Sequence, residues 1–247
     1  EGGPGRSVSK WGGFIDGYAD FDPLFFNIAP IEANNMDPQE RLFLMAAWHA
    51  LEDAGITRKT IAEQYRGRVG VYAGVTRTGF SLVGAEAAAS SGAPYQQPAF
   101  SSIPNRVSYF LDLNGPSLPV DTMCSSSLTA VHEACAALQR GDCDMALAGG
   151  VNLCVHPSSF TGLSNGRMLS TDGRCRSFGA GGDGYVPGEG VGVVLLKPLA
   201  AAQRDGDLIR AVIRASSVNH GGKTNGFTVP NPLAQADLIR ENLRKAN

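Results

Sequence analysis

The stretch Pro119-Val120-Asp121-Thr122-Met123-Cys124-Ser125-Ser126-Ser127-Leu128 constrains this chain more than any other. A short apolar segment, Ser117 to Val120, runs into a polar turn, and a helical pattern begins directly after it and lasts to Gly141. Leu128, Val131, Ala134, Cys135 and Leu138 recur at the spacing of a buried helix face, and Gly141 is a natural stop. Cys124 therefore stands where a strand hands over to a helix. The first turn of a helix leaves its amide N–H groups free, and the helix dipole places positive potential there, so a thiol at that point loses its proton more readily. Position alone leaves two readings of Cys124 open: a nucleophilic thiolate, or a small packing residue like many free cysteines.

Elements on either side make this turn part of a larger layered body. Val69 to Gly74 is a continuous apolar run of the kind found in strands covered on both faces. Asp144 to Leu153 reads as a second such strand, with Gly149-Gly150 permitting close backbone approach. Further strands are expected at Val191 to Leu196 and across Asp207 to Val218. Helices are expected from Asp37 to about Asp53, from Ser102 to about Leu113, and from Leu233 to about Ala246. The first of these opens on Asp37-Pro38-Gln39-Glu40-Arg41, with Asp as cap, Pro at the first position and Glu three residues after the cap, a reciprocal capping arrangement. Its apolar content points to the core, and His49 within it to packing or hydrogen bonding. Ser81 to Pro98, rich in Ala, Gly, Ser and Pro, reads as a loop with at most a short helix. The first thirty-five residues, glycines alternating with aromatics, read as a segment laid over that body. Strands alternating with helices give an α/β fold.

With 247 residues and 43% hydrophobic content, the chain can bury a sizeable core as one domain. Its 21 basic and 23 acidic residues give a formal net charge of −2 without a run of either sign, which speaks against nucleic acid or an acidic membrane as partner. No apolar run is long enough to span a bilayer. Cys124, Cys135, Cys143, Cys154 and Cys175 are odd in number and form no CxxC pair, so reduced thiols in the cytoplasm are expected rather than a disulfide framework or a metal site. His49, His132, His156 and His220 show no metal-ligand spacing. Gly179-Ala180-Gly181-Gly182-Asp183-Gly184 fits GxGxxG, but Tyr185-Val186-Pro187-Gly188 cannot open a helix after it, so a dinucleotide site is rejected in favour of a Gly-rich loop before a strand.

Val120-Asp121-Thr122-Met123-Cys124-Ser125-Ser126-Ser127-Leu128 resembles the active-site motif of the β-ketoacyl synthase (ketosynthase) domains of modular polyketide synthases. Asp37-Pro38-Gln39-Glu40-Arg41, Asn105-Arg106-Val107-Ser108-Tyr109, Gly149-Gly150-Val151-Asn152-Leu153, Asp172 to Phe178, Gly188-Glu189-Gly190-Val191-Gly192 and Thr228-Val229-Pro230-Asn231 extend the likeness in the family's order along nearly the whole chain. Val155-His156-Pro157 and Tyr185 to Gly190 are similar to ketosynthases of assembly lines whose acyltransferase is a separate protein, which would place His156 in a loop near the acyl site.

The resemblance implies a thiolase-like layered α/β/α fold and a two-step reaction. An acyl chain carried as a phosphopantetheine thioester on an acyl carrier protein passes to Cys124, whose own backbone N–H helps hold the oxyanion. The acyl-enzyme then condenses with a malonyl-type extender, losing carbon dioxide and giving a β-ketoacyl thioester. Thr228 matches a family position near the pantetheine arm, and Phe227 is a candidate pocket wall. No cofactor bound by the domain and no metal is implied; the partners implied are acyl carrier protein domains, other polyketide synthase domains and a second copy in a homodimer.

Two histidine blocks that the family uses in decarboxylation and condensation are absent, and none of the four histidines here takes their place. The expectation is a single ketosynthase domain over residues 1–247, truncated at both ends. A non-condensing role, passing an acyl chain or scaffolding, is the alternative, and a thiolase or cysteine hydrolase a third reading that shares only the nucleophile.

Overall fold

The computed structural model describes residues 5–92 and 97–247, so Gly2, Gly3 and residues 93–96 of the expected loop lie outside the described residues. Its helices are α1 (Pro30–Asn35), α2 (Pro38–Asp53), α3 (Arg58–Tyr65), α4 (Phe80–Ser91), α5 (Ser102–Leu111), α6 (Ser126–Arg140), α7 (Ser158–Asn165), α8 (Leu199–Asp205) and α9 (Pro232–Ala246). Its strands are β1 (Val69–Gly74), β2 (Ser117–Val120), β3 (Met145–Asn152) and β4 (Gly190–Leu196), and a 3₁₀ turn, Met123–Ser125, precedes α6.

The sheet runs in the order β2-β1-β3-β4, parallel except for the antiparallel β3–β4 pair. Every residue of β1 is buried because both faces are covered. Val69, Val71, Met145 and Leu147 face a cluster with Phe43, Leu44 and Leu51 of α2 and Ile103 and Val107 of α5. Tyr72, Ala146 and Ala148 face Ala130, Ala134 and Ala137 of α6. The result is a three-layer α/β/α arrangement, as the sequence implies.

Asp37 caps α2, its carboxylate accepting the Gln39 N–H at 2.9 Å. The reciprocal bond expected from Glu40 is not made. Glu40 accepts instead from Ser102 Oγ at 2.7 Å and Arg106 Nε at 2.8 Å, since its side chain is only 5% exposed and a buried carboxylate needs a cation more than the cap needs a second acceptor. Arg106 also meets Glu32 at 2.8 Å, so one guanidinium ties α1, α2 and α5 together. The aromatic N-terminal segment does lie over this body: Phe26 packs on Phe110 with ring centroids 4.9 Å apart, and Phe25 meets the edge of Trp48.

Three expectations are corrected. The 81–98 stretch contains a twelve-residue helix, α4, because Ala85, Ala87, Ala88 and Ala89 favour helix without forming an amphipathic stripe; none of its residues is buried. Residues 207–218 carry no strand: Leu208, Ile209, Val212 and Ile213 remain 39–69% exposed and pair with no strand among the described residues. An apolar run becomes a strand only where a sheet edge receives it. Finally, the face of α6 against the sheet is Ser126, Ala130, Ala134 and Ala137, while Leu128 is 76% exposed. The helix lies so close to the strands that only small side chains fit between them.

Two glycines set that distance. A Cβ on Gly74 of β1 would stand 2.5 Å from the Ser127 backbone nitrogen, and one on Gly150 of β3 would stand 2.7 Å from Ser127 Cβ. The first turn of α6 thus rests directly on the carboxyl ends of the two central strands.

Gly74→Ala should push α6 off the sheet and cost about 1–3 kcal/mol, read as a lowered denaturation midpoint. Arg106→Leu strands the buried Glu40 carboxylate and should cost about 3 kcal/mol in the same assay. Burial pushes the Asp37 carboxyl up, against the hydrogen bonds from Gln39 that favour its ionised form. The folded state therefore holds this proton more tightly than the unfolded chain, and ionisation destabilises it as pH rises from the ordinary carboxylate value through the raised one. Asp37→Asn keeps the cap and removes that loss, so its stability relative to wild type should rise across that interval in pH-dependent denaturation.

Candidate active site

Strand β2 ends at Val120, and the next three residues bring the chain into α6 through a turn held on all sides. Met123, immediately before Cys124, has φ of 57°, a left-handed conformation that costs a non-glycine residue about 1–3 kcal/mol and persists only where neighbours fix it. Here the Met123 N–H donates to Asp121 Oδ1 at 3.0 Å. Its carbonyl accepts from Ser126 Oγ at 2.6 Å and Thr76 Oγ1 at 3.2 Å. Thr76 also donates to Asp121 Oδ1 at 3.1 Å, and the Thr122 N–H donates to Ser126 Oγ at 3.0 Å. Ser125 and Thr129 complete the turn through the Thr122 hydroxyl. Ser126 is 6% exposed, so this network sits beneath the turn and directs Cys124 outward.

Cys124 is exposed in the 3₁₀ turn ahead of α6, where amide N–H groups lack helical partners. Burial pushes the thiols of Cys135, Cys143 and Cys154 up, which disfavours their thiolates. Cys175 is exposed too, but it lies in the irregular segment before β4, accepting the Val186 N–H at 3.3 Å. Cys124 alone combines exposure with a helix start. Tyr185 is within electrostatic reach of it: burial pushes the phenol up, and Cys124 acts in the same direction. The sequence offered Tyr185 only as part of a Gly-rich block, so its proximity to Cys124 was not legible.

The Gly188–Glu189 segment braces this region. Glu189 accepts the Cys154 N–H at 2.8 Å and the Ile15 N–H at 3.2 Å, and Asn152 Nδ2 donates to the Gly188 carbonyl at 2.7 Å. The GxGxxG stretch opens no helix, in keeping with its rejection as a dinucleotide site.

Thr228 and Phe227 line a separate concavity of about 420 Å³ with Asn219, His220 and Asn231, which does not include Cys124. Phe227 is fully exposed. Each remaining histidine with a ring contact has it away from Cys124: His132 with Ser216 at 2.8 Å, His220 with the Gly222 N–H at 2.9 Å, and His156 with Ser158 at 2.8 Å and Glu86 at 3.1 Å. His156 thereby fixes the loop before α7 against α4.

Residues 2–202 match the family model described as the N-terminal domain of beta-ketoacyl synthase. The chain is 58% identical over 242 residues to polyketide synthase ThaG of Burkholderia thailandensis and 53% identical over 248 residues to polyketide synthase PksL of Bacillus subtilis. It covers 98% and 96% of itself in these matches but only 4% and 5% of those proteins. Among solved structures, the oxazolomycin ketosynthase domain OzmH KS7 of Streptomyces albus superposes with a TM-score of 0.94 at 52% identity, over 99% of this chain and 43% of that one. The ketosynthase from module 6 of the bacillaene synthase of Bacillus subtilis superposes with a TM-score of 0.90 at 40% identity, over 41% of its length. The chain belongs to the beta-ketoacyl synthase family, as a ketosynthase of the kind found in polyketide synthases.

Proposed function

We propose that Cys124 is the acyl-accepting nucleophile of a polyketide ketosynthase. The observation that carries this reading is its placement: an exposed thiol in a hydrogen-bonded turn at the start of α6, beside N–H groups with no helical partner. The thiolate attacks the carbonyl carbon of an acyl-pantetheine thioester on an acyl carrier protein. The new C–S bond forms, and the pantetheine sulfur leaves and takes up a proton. The Cys124 N–H is a donor for the oxyanion of the tetrahedral intermediate. In the second step a malonyl-type extender on another carrier domain loses carbon dioxide, and its carbanion attacks the acyl-Cys124 carbonyl. That attack releases the Cys124 thiolate and a β-ketoacyl thioester.

Acylation is the step to which this chain's own residues contribute. The chain spans less than half the length of the solved ketosynthases it matches, and none of its described histidines hydrogen-bonds Cys124. Condensation is accordingly proposed for the intact protein, with a transfer-only role as the second reading. Residues 1–247 act in this proposal as part of one ketosynthase domain, working in the cytoplasm as a homodimer with carrier and other synthase domains. Thr228 and Phe227 are proposed to border the pantetheine arm, and the Val155-His156-Pro157 segment favours an assembly line with a separate acyltransferase. The domain itself is proposed to need no bound cofactor.

Incubation with short acyl-pantetheine thioesters should add one acyl mass to the protein, and Cys124→Ala should abolish the adduct, as seen by intact-mass spectrometry. An adduct that persists in Cys124→Ala would place the nucleophile elsewhere. Malonyl-carrier added after acylation should release the β-ketoacyl product from the intact protein; acylation without that product would favour the transfer-only reading.

A further inference from the structure

Ser158, His156 and Glu86 form a hydrogen-bonded row that acylation of Cys124 does not use. His156 Nδ1 lies 2.8 Å from Ser158 Oγ, and its Nε2 lies 3.1 Å from Glu86 Oε1. The Ser158 backbone N–H also donates to Nδ1, at 3.1 Å. An N–H donates only to a ring nitrogen with a free lone pair, so Nδ1 is unprotonated and the ring proton on Nε2 is donated to Glu86. Nδ1 is therefore the basic nitrogen, and it faces a hydroxyl. Nucleophile, base and orienting carboxylate stand in the same relation in serine hydrolases, with the two ring nitrogens exchanged.

Three separate elements bring the row together. Glu86 lies on α4, His156 in the loop after β3, and Ser158 at the first position of α7. A Cβ on Gly79 would stand 3.3 Å from His156 Cβ, so the start of α4 packs directly on this loop. The His156 side chain is 15% exposed and thus held in place, while Glu86 is largely exposed and orients the ring more than it would stabilise an imidazolium. Ser158 is half-buried and borders, with Leu82 and Phe100, a cleft of about 450 Å³. In the first turn of α7 the Ser159 N–H donates to the His156 carbonyl, whereas the Phe160 N–H has no hydrogen-bond partner among the described residues. A free N–H two residues from the hydroxyl is a donor for an oxyanion.

We propose that Ser158 is a second nucleophile, activated by His156 and oriented through Glu86, that hydrolyses short acyl esters and thioesters presented at this cleft. Ser158 Oγ attacks the acyl carbonyl carbon as its proton passes to His156 Nδ1. That proton then goes to the departing alkoxide or thiolate, leaving acyl-Ser158. A water molecule gives a proton to His156 and attacks the acyl-serine, the carboxylic acid leaves, and the proton returns from His156 to Ser158 Oγ. Cys124 takes no part, so this proposal stands or falls apart from the reading of that thiol.

The test uses the intact protein that carries this sequence, with Cys124→Ala to silence the thiol. p-Nitrophenyl butyrate and the N-acetylcysteamine thioester of butyrate should both be hydrolysed above the buffer rate. Adding Ser158→Ala or His156→Gln should lower the protein-dependent rate about 100-fold or more. The two together should lower it no further than either alone, because the groups act as a unit. An alkyl fluorophosphonate should add one phosphonyl mass to the peptide bearing Ser158, and His156→Gln should abolish that label without any turnover being needed. Ser159→Ala changes a neighbouring hydroxyl outside the row and should keep both rate and label. Absence of hydrolysis with both substrates, hydrolysis that survives Ser158→Ala, or a label that persists in His156→Gln overturns the proposal.

Discussion

The structure depends on how closely α6 approaches the carboxyl ends of β1 and β3. Gly74 and Gly150 remove the two side chains that would hold them apart, and the backbone of Ser127 occupies the space. Ala130, Ala134 and Ala137 continue that close approach along the sheet. The turn that connects α6 to β2 carries Met123 in a left-handed conformation. Thr76, Asp121 and Ser126 absorb that strain with hydrogen bonds. Cys124 is presented outward by backbone geometry rather than by any bond of its own.

Around this centre, charged side chains join separate elements through ion pairs and hydrogen bonds. Glu40 and Arg106 join α1, α2 and α5. Glu189 holds the N-terminal segment and the end of β3 with its two carboxylate oxygens. Lys197, at the end of β4, meets Tyr65, Asp205 and Asp207 at 2.6–2.7 Å. Burial opposes its charge, yet those three partners outweigh it and hold the ammonium well above its ordinary value. Such pairs contribute little net stability against apolar replacements but penalise any arrangement that separates the partners. They therefore specify which elements sit together more than they strengthen the whole.

Much of this was legible in the chain. β1 stood out as a run apolar on both faces, and the strand-to-helix turn at Cys124 stood out because an apolar segment, a polar turn and a helical period follow one another without a gap. Where reading failed, the missing information was a neighbour. Glu40 has the right spacing to cap its own helix, but a cation on α5 takes it. Leu128 has the right period for the core, yet the close packing at Gly74 and Gly150 turns small residues inward and leaves Leu128 outside. Residues 207–218 have the composition of a strand and no edge to join.

The sequence by itself determined the α/β class, the strands β1 to β4, the longer helices α2, α5, α6 and α9, the family and the cysteine at the helix start, because periodicity, glycine placement and motif spacing are local properties. Only the tertiary structure decided which cysteines are buried, that Tyr185 comes within electrostatic reach of Cys124, and that Thr76 reaches under the turn from the end of β1. The Thr76 and Tyr185 approaches join residues more than forty positions apart, and no local pattern encodes which distant side chain will fill a given space.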